Sequence, residues 1–132
     1  MGDDKTGETH GYRITAWEQA KLEAIRAIVA QARRGRPPTI SYSDLTKRIN
    51  SILFDPHDSR FHLLLYEISD NEDAAGRGLI SALVVHKDDE RPGQGFWDMA
   101  RDRNRDVTDR ERCWSEEVGK VLAHCQNHPL AT

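Results

Sequence analysis

The chain has 132 residues, of which 31% are charged and 37% hydrophobic, and its formal net charge is -3. A chain of this length is expected to form one domain around a single core, without a metal ion or disulfide to stabilise it. The slight negative charge argues against a protein that coats nucleic acid without specificity. The longest apolar run is far shorter than the roughly 20 residues that cross a bilayer, and the acidic start does not resemble a signal peptide. We therefore predict a soluble cytoplasmic domain that does not bind membranes.

The charges are distributed unevenly along the chain. The charged residues of segment 26–48 are basic except for Asp44. The basic residues are Arg26, Arg33, Arg34, Arg36, Lys47 and Arg48. In segment 55–73 the balance is reversed: the residues charged at neutral pH are acidic except for Arg60. A domain with one basic edge and one acidic edge can bind a polyanion in only one orientation.

The first dozen residues are small and polar, and we predict a disordered tail over residues 1–13. Thr15 and Glu18 have the spacing of a capping box, which predicts that the first helix begins there. Gly35 and the two prolines that follow predict its end at Arg34. The apolar positions of this helix are Trp17, Ala20, Ala24, Ile28 and Ala32.

Two shorter helices are predicted next. A brief extended segment at Thr39 and Ile40 leads to a second helix capped by Ser41, with Asp44 at its third position and an inward face of Leu45, Ile49 and Ile52. A third helix is predicted over residues 57–69, where Phe61, Leu64, Leu65 and Ile68 recur at helical spacing. The polar residues 70–78 are predicted to form a loop.

The stretch "LISALVVH" predicts a buried strand over residues 79–86. A turn with Pro92, Gly93 and Gly95 follows, and the chain is expected to return through Phe96 and Trp97, although "FWDMARDR" also suits a short helix. Thr108 and Glu111 form a second capping box, which predicts a final helix. Its apolar stripe is Trp114, Val118, Val121, Leu122 and Cys125. Cys113 and Cys125 lie too far apart along this helix to bond to each other, so both thiols are expected to be reduced.

This order of elements is that of a winged helix-turn-helix, in which the turn after the strand is the wing. We therefore predict an α+β, winged-helix-like domain over residues 14–132, with an added helix at its C-terminal end. Other small α+β folds share the order.

Three short motifs, in their order, resemble the DNA-binding region of the O6-alkylguanine-DNA alkyltransferases and the alkyltransferase-like proteins. These are "YSDLT" with Tyr42 and Leu45, "PHDSR" with Pro56 and Arg60, and "LISALVVH", which stands where that family has its cysteine strand. The resemblance covers roughly residues 40–95. It implies a winged-helix scaffold that binds DNA.

The same resemblance implies that the family's chemistry is absent. When Ile80 is aligned with the family's isoleucine, the reactive cysteine falls on Ala82, and its histidine and arginine fall on Leu83 and Val84. Alkyl transfer needs a thiolate activated by a histidine network, so these apolar residues cannot perform it. The sequence contains no G-x-S-x-G motif, no P-loop and no glycine-rich dinucleotide turn. The chain is therefore predicted to be non-enzymatic, with no cofactor.

Seven residues are the candidates for nucleic-acid contact. Tyr42, Ser43, Lys47 and Arg48 would contact phosphates from the second helix, Arg60 would enter a groove as the family's arginine does, and Lys87 and Arg91 would act from the wing. Arg60 is better explained, without any ligand, as an exposed side chain paired with Asp55 or Asp58. The basic end of the first helix also stabilises the helix dipole, which requires no ligand.

No metal site is predicted. His57 and His62 lie five positions apart, which does not align them on one helix face, and Cys113, Cys125 and His128 lack zinc-ligand spacing. The competing function is that of a protein-interaction module or accessory subunit, because winged helices also dock other proteins and the net charge is slightly negative.

Overall fold

The computed structural model describes residues 7–130, which form a mostly helical α+β domain. Its elements, in order, are β1 (Glu8–Thr9), β2 (Tyr12–Arg13), α1 (Ile14–Arg34), β3 (Ile40–Ser41), α2 (Tyr42–Lys47), α3 (Ser59–Ala74), a 3-10 helix (Ile80–Leu83), β4 (Val84–Val85), α4 (Gln94–Asp102) and α5 (Arg110–Cys125). The predicted α+β class is confirmed. The predicted tail lies partly outside the described residues, which begin at residue 7.

Residues 8–13 form an antiparallel hairpin of β1 and β2, so the prediction of disorder is wrong for this part of the tail. The hairpin is held by side chains of the helices: the Tyr12 ring stacks on Trp17 at 5.9 Å, and His10 Nε2 lies 2.9 Å from Glu67 Oε2. It also replaces the predicted capping box. Because the Ile14 N–H donates to the Gly7 carbonyl, α1 begins at Ile14 and Thr15 does not cap it.

The core forms around α1, whose predicted apolar positions are all buried. Phe61 and Leu64 of α3 and Leu45 of α2 pack against it with no exposed surface. Burial of each such side chain stabilises the fold by about 1.5–3 kcal/mol. A smaller cluster, which includes Phe96, Met99 and Cys113, joins α4 to α5.

The predicted strand over residues 79–86 is mostly wrong. Only Val84–Val85 is extended, and it pairs in parallel with Ile40–Ser41. The preceding residues form the 3-10 helix because side chains bind their backbone: the Ser81 N–H donates to Ser69 Oγ at 2.9 Å, and Trp114 Nε1 donates to the Ala82 carbonyl at 2.8 Å. An apolar run of this length fits a buried strand or a buried helical turn equally well.

The segment after β4 turns back on itself without forming a two-stranded wing. The His86 N–H donates to the Arg91 carbonyl, and the Glu90 N–H donates to the His86 carbonyl. The chain then returns through α4, in which Phe96 and Trp97 are helical. The alternative prediction of a short helix here is confirmed. Both rings are buried, because they line the apolar face that α4 turns toward α5.

α3 extends to Ala74, five residues beyond its predicted end at Ser69. Its last turn is held by the buried carboxylate of Glu72. Glu72 accepts hydrogen bonds from Arg77 and lies 2.6 Å from His128 Nε2. His128 Nδ1 accepts from the Leu130 N–H, so this contact ties the C-terminal segment to α3. Polar residues therefore continue the helix where their sequence suggested a loop.

A second ionic network fixes α5 to the segment that begins the 3-10 helix. Glu117 is 4% exposed, and its Oε2 accepts hydrogen bonds from the Leu79 N–H at 2.7 Å and from Arg105 at 2.9 Å. Arg105 also donates to Asp73 of α3. α5 is capped by Asp109, whose side chain accepts from the Arg112 N–H, so the predicted capping box at Thr108 is wrong by one residue.

Candidate functional site

A cleft of about 200 Å³ opens between α2, α3, the 3-10 helix and the start of α4. We call it the aromatic cleft, and the residues that define it here are Tyr42, His62, Tyr66, Ser81, His86 and Phe96. The cleft is formed by four separate segments of the chain. Among its lining residues none is acidic.

Tyr42 stands at the centre of the aromatic cleft. Its ring centroid lies 5.4 Å from that of His62 and 4.9 Å from that of His86. Its hydroxyl oxygen accepts the Gly93 N–H at 2.9 Å, which fixes the start of α4 against α2. Burial raises the pKa of Tyr42, with a smaller contribution from the charge of Asp89, so the phenol stays protonated at neutral pH. Tyr42 is thus a buried wall of the cleft, not the exposed phosphate contact that the sequence predicted.

Several polar groups of the cleft are free to bind a ligand. Within residues 7–130, neither the His86 ring nor the Ser81 hydroxyl forms a hydrogen bond, and the Tyr42 hydroxyl hydrogen has no acceptor. His62 differs, since its Nε2 lies 3.0 Å from the Pro56 carbonyl oxygen. The cleft therefore combines aromatic surfaces with uncommitted donors and acceptors.

Three basic side chains lie on two of the segments that form the aromatic cleft. Lys47 Nζ and Lys87 Nζ lie 4.0 Å and 3.7 Å from the same atom, Asp44 Oδ1. Both lysines are well exposed, and Arg48 follows Lys47 at the end of α2 with an exposed side chain. We call Lys47, Arg48 and Lys87 the basic patch. The basic patch is connected to the aromatic cleft in sequence, because Lys87 follows His86 and Lys47 lies on the same short helix as Tyr42.

Beside the basic patch lies a polar hollow of about 340 Å³ between α1 and α2. It is lined by Gln31, Ser41, Asp44, Lys47 and Arg48 among others. Ser41 caps α2 by accepting the Asp44 N–H at 3.1 Å, which confirms the predicted cap. The half-buried hydroxyl of Ser43 lies 3.3 Å from that of Ser41, so Ser43 faces the helix cap.

The remaining two predicted contacts lie elsewhere. The Arg60 guanidinium lies 4.6 Å from the centre of the Tyr12 ring in the hairpin, and its Nε is 3.5 Å from Asp58 Oδ1. The alternative prediction of a local Asp58 pair therefore describes its position. Arg91 pairs with Glu111 at 2.7 Å and covers the Trp114 ring at 4.9 Å. Both arginines are already paired with acids, and the structure does not bring them to the basic patch.

The position that the resemblance aligns with a reactive cysteine is part of the core. Ala82 has no exposed surface, and its carbonyl accepts the indole N–H of Trp114. Cys113 and Cys125 are free but buried, as the prediction of reduced thiols requires, and burial raises the pKa of each. Neither thiol is activated in the way that alkyl transfer demands.

In the part of the chain from residue 7 to residue 130, no three His, Cys, Asp or Glu side chains are grouped to hold a metal ion. Over the same residues, no helix has the length and apolar character needed to span a bilayer.

Sequence reasoning identified the lysines of the basic patch but missed His62, Tyr66, Ser81 and His86. Each of them stands next to a core residue, and no motif links them. The one feature of the sequence that indicates close packing at this site is the pair of glycines in "PGQGF". Gly93 is close-packed, since a Cβ there would lie 3.2 Å from both Tyr42 Oη and His86 Nε2.

Comparison with known proteins gives no assignment: no protein-family model matches the chain, and neither the curated proteins nor the solved structures include a significant match.

Proposed function

We propose that this protein is a non-catalytic nucleic-acid-binding domain whose phosphate contacts are Lys47, Arg48 and Lys87. The observation that carries the proposal is the convergence of Lys47 and Lys87, forty positions apart in sequence, on the single carboxylate of Asp44. Cations held near one another on an exposed surface attract a polyanion, even when the whole molecule is slightly negative.

We further propose that the elements carrying this surface correspond to those of a winged helix. α2 and α3 would take the place of the helix-turn-helix, and the turn over residues 86–93 would take the place of the wing. Lys47 and Arg48 project from the first of these parts and Lys87 from the second. This arrangement supports binding to backbone phosphates, which gives affinity without sequence specificity.

Asp44 affects how this surface binds phosphate. Its half-exposed carboxylate lies between two ammonium groups and is their intramolecular partner. A phosphate would take the place of this carboxylate as the lysines' partner. Such exposed pairs are worth little, so they impose only a small cost on phosphate binding.

The test is a fluorescence polarisation titration with labelled single-stranded and duplex DNA and RNA at two salt concentrations. The double variant Lys47→Ala, Lys87→Ala is compared with the control Arg101→Ala, Arg112→Ala. The control removes the same charge from two exposed arginines of α4 and α5 that pair with acids of their own helices.

We expect the lysine variant to lose at least about tenfold in affinity at 50 mM salt, since each phosphate contact contributes about one power of ten there. The control should lose less than about threefold. Failure of every probe to bind more tightly than about 100 μM at low salt would refute the proposal. Equal losses in both variants would show that only net charge matters.

The second candidate function is that of a protein-interaction module. Leu53 supports it, because this side chain is 90% exposed between the buried Ile52 and Phe54. Burial of such a side chain against another protein would be favourable, by about 1.5–3 kcal/mol when it is complete. Its test is sedimentation of the protein with and without Leu53→Ser: a self-association that the substitution abolishes would favour this function.

A further inference from the structure

We propose that the aromatic cleft binds one unstacked base of a single-stranded nucleic acid, while the adjoining phosphates contact Lys87 and Lys47. This inference rests on the proposed function and adds the kind of strand and the part of it that is recognised. It assigns a role to Tyr42, His62 and His86, which the phosphate contacts alone leave unused.

The size of the cleft limits its occupant. At about 200 Å³ it is smaller than the roughly 300–1,000 Å³ of sites for drug-sized ligands. A volume of this size suits one planar ring system rather than a larger ligand. The cleft is open to solvent at His62, Tyr66 and His86, all of which are exposed, so a base can enter from the surface.

The chemistry of the cleft matches a base. The rings of His62 and His86 are each tilted about 50° to the Tyr42 ring, with centroids 5.4 Å and 4.9 Å from it, which offers aromatic faces in more than one direction. Every base has a π-face, and stacking on such side chains is the usual way that single strands are bound. The Ser81 hydroxyl and the Tyr42 O–H supply groups that can hydrogen-bond to the edge of the base.

The charges around the cleft indicate on which side the phosphates of the bound strand lie. No carboxylate lines the cleft, while Lys87 adjoins His86 and is therefore one residue, about 3.8 Å between Cα atoms, from a cleft wall. Lys47 is held near Lys87 by their common partner Asp44. Two carboxylates oppose binding: Asp44, which lies between the lysines, and Asp89, whose charge contributes to the raised pKa of Tyr42. A base in the cleft would thus place its own phosphates beside the two lysines.

Duplex nucleic acid lacks a free base, so it cannot use the cleft without the cost of flipping one out. The proposal consequently predicts a preference for single strands over blunt duplexes. It also predicts that removal of the bases from the strand abolishes this preference.

Gly95 allows the cleft to be narrowed without disturbing the fold. It lines the cleft, and a Cβ added there meets no atom within 4 Å, as is also true of Gly119 on α5. Gly95→Leu therefore adds a side chain at the cleft, and Gly119→Leu is the matched control in another helix. His86→Ala removes one ring, with the exposed His124→Ala of α5 as its control. Circular dichroism and thermal unfolding confirm that each variant is folded.

The experiment measures binding of three labelled probes of equal length by fluorescence polarisation: a deoxyadenosine single strand, a strand of abasic sites and a blunt duplex. We expect Gly95→Leu and His86→Ala to weaken binding of the single strand about 5- to 150-fold, the contribution of one stacked base, and to leave the abasic strand unchanged. The two controls should bind all three probes as the unmodified protein does.

Equal affinity for the single strand, the abasic strand and the duplex, each lost in Lys47→Ala, Lys87→Ala, would overturn the base-binding cleft and leave the proposed function intact. No binding of any probe would overturn both. Competition by AMP at the same nucleotide concentration as the strand would also overturn the inference, since the cleft would then be a site for a free nucleotide.

Discussion

Substitution of Glu117 provides the most demanding test of how the site is held in place. The carboxylate is 4% exposed and accepts three hydrogen bonds, one from the Leu79 N–H and two from Arg105, at 2.7–2.9 Å. Glu117→Ala leaves the buried N–H unpaired and removes one of the two acidic partners of Arg105. Breaking a buried ion pair costs about 3–5 kcal/mol. Because Arg105 retains Asp73, we expect a loss of about 3 kcal/mol in the free energy of unfolding.

The assay is urea denaturation followed by tryptophan fluorescence. With an m-value of about 1.5 kcal/mol per molar urea, the expected loss moves the midpoint by about 2 M. Glu117→Gln keeps an acceptor for the Leu79 N–H and should cost about half as much. The control is Glu116→Ala, which removes an exposed pair with Arg112 and should cost less than about 0.5 kcal/mol.

A loss below about 1 kcal/mol in Glu117→Ala, or equal losses at residues 116 and 117, would refute this account of the network. The result also bears on the site. Leu79 precedes the 3-10 helix, which contributes Ser81 to the aromatic cleft, so a released Leu79 should loosen that wall.

Three further predictions concern the site and the stability of the domain. Tyr42→Phe leaves the Gly93 N–H without its acceptor and should lower the free energy of unfolding by about 1 kcal/mol in the same urea assay; no change would mean that this hydrogen bond does not hold α4. Burial by itself would raise the pKa of Glu72, but hydrogen bonds from Arg77 and His128 lower it below the ordinary value. The stabilisation by Glu72 is therefore complete above the ordinary carboxyl pKa of about 4.3 and is lost as the pH falls through the lower folded value. When the pH is lowered below about 4.5, the urea concentration at the midpoint should decrease, and this decrease should be smaller in Glu72→Gln. Asp44→Asn removes the carboxylate between the lysines and should raise affinity for single-stranded DNA several-fold in polarisation titrations, whereas a loss would mean that Asp44 positions the lysines.

The sequence predicted the main helices correctly because their information is local. Apolar residues recur at helical spacing in α1, α3 and α5, and the predicted inward positions of the first two are buried throughout. The ends were less predictable. The Asp44 N–H does find the Ser41 hydroxyl, but α1 begins on the hairpin carbonyl of Gly7, a contact that no capping pattern records.

Elements that depend on distant contacts escaped prediction. The hairpin is stabilised by His10 against Glu67, fifty-seven positions away, and the 3-10 helix by side chains of α3 and α5 that bind its backbone. Polar residues at the end of α3 look like a loop until Arg77 and His128 surround Glu72.

The same limit applies to the site. Lys47 and Lys87 were predicted as separate contacts from their charge, but their common partner Asp44 is visible only in three dimensions. The aromatic cleft draws its residues from four segments, and His62 and His86 have no motif around them. The resemblance predicted that Arg60 enters a groove, yet it lies over Tyr12 in a hairpin that the sequence did not predict.

The most direct test of nucleic-acid binding is a map of the binding surface by two-dimensional NMR. Uniformly ¹⁵N-labelled protein is titrated with a short deoxyadenosine strand, and the amide shifts are followed to saturation. We expect the largest shifts in residues 42–48 and 86–96, and no change in those of α5. Shifts concentrated on α5 or around Leu53, or no shifts at a tenfold excess of the strand, would contradict it.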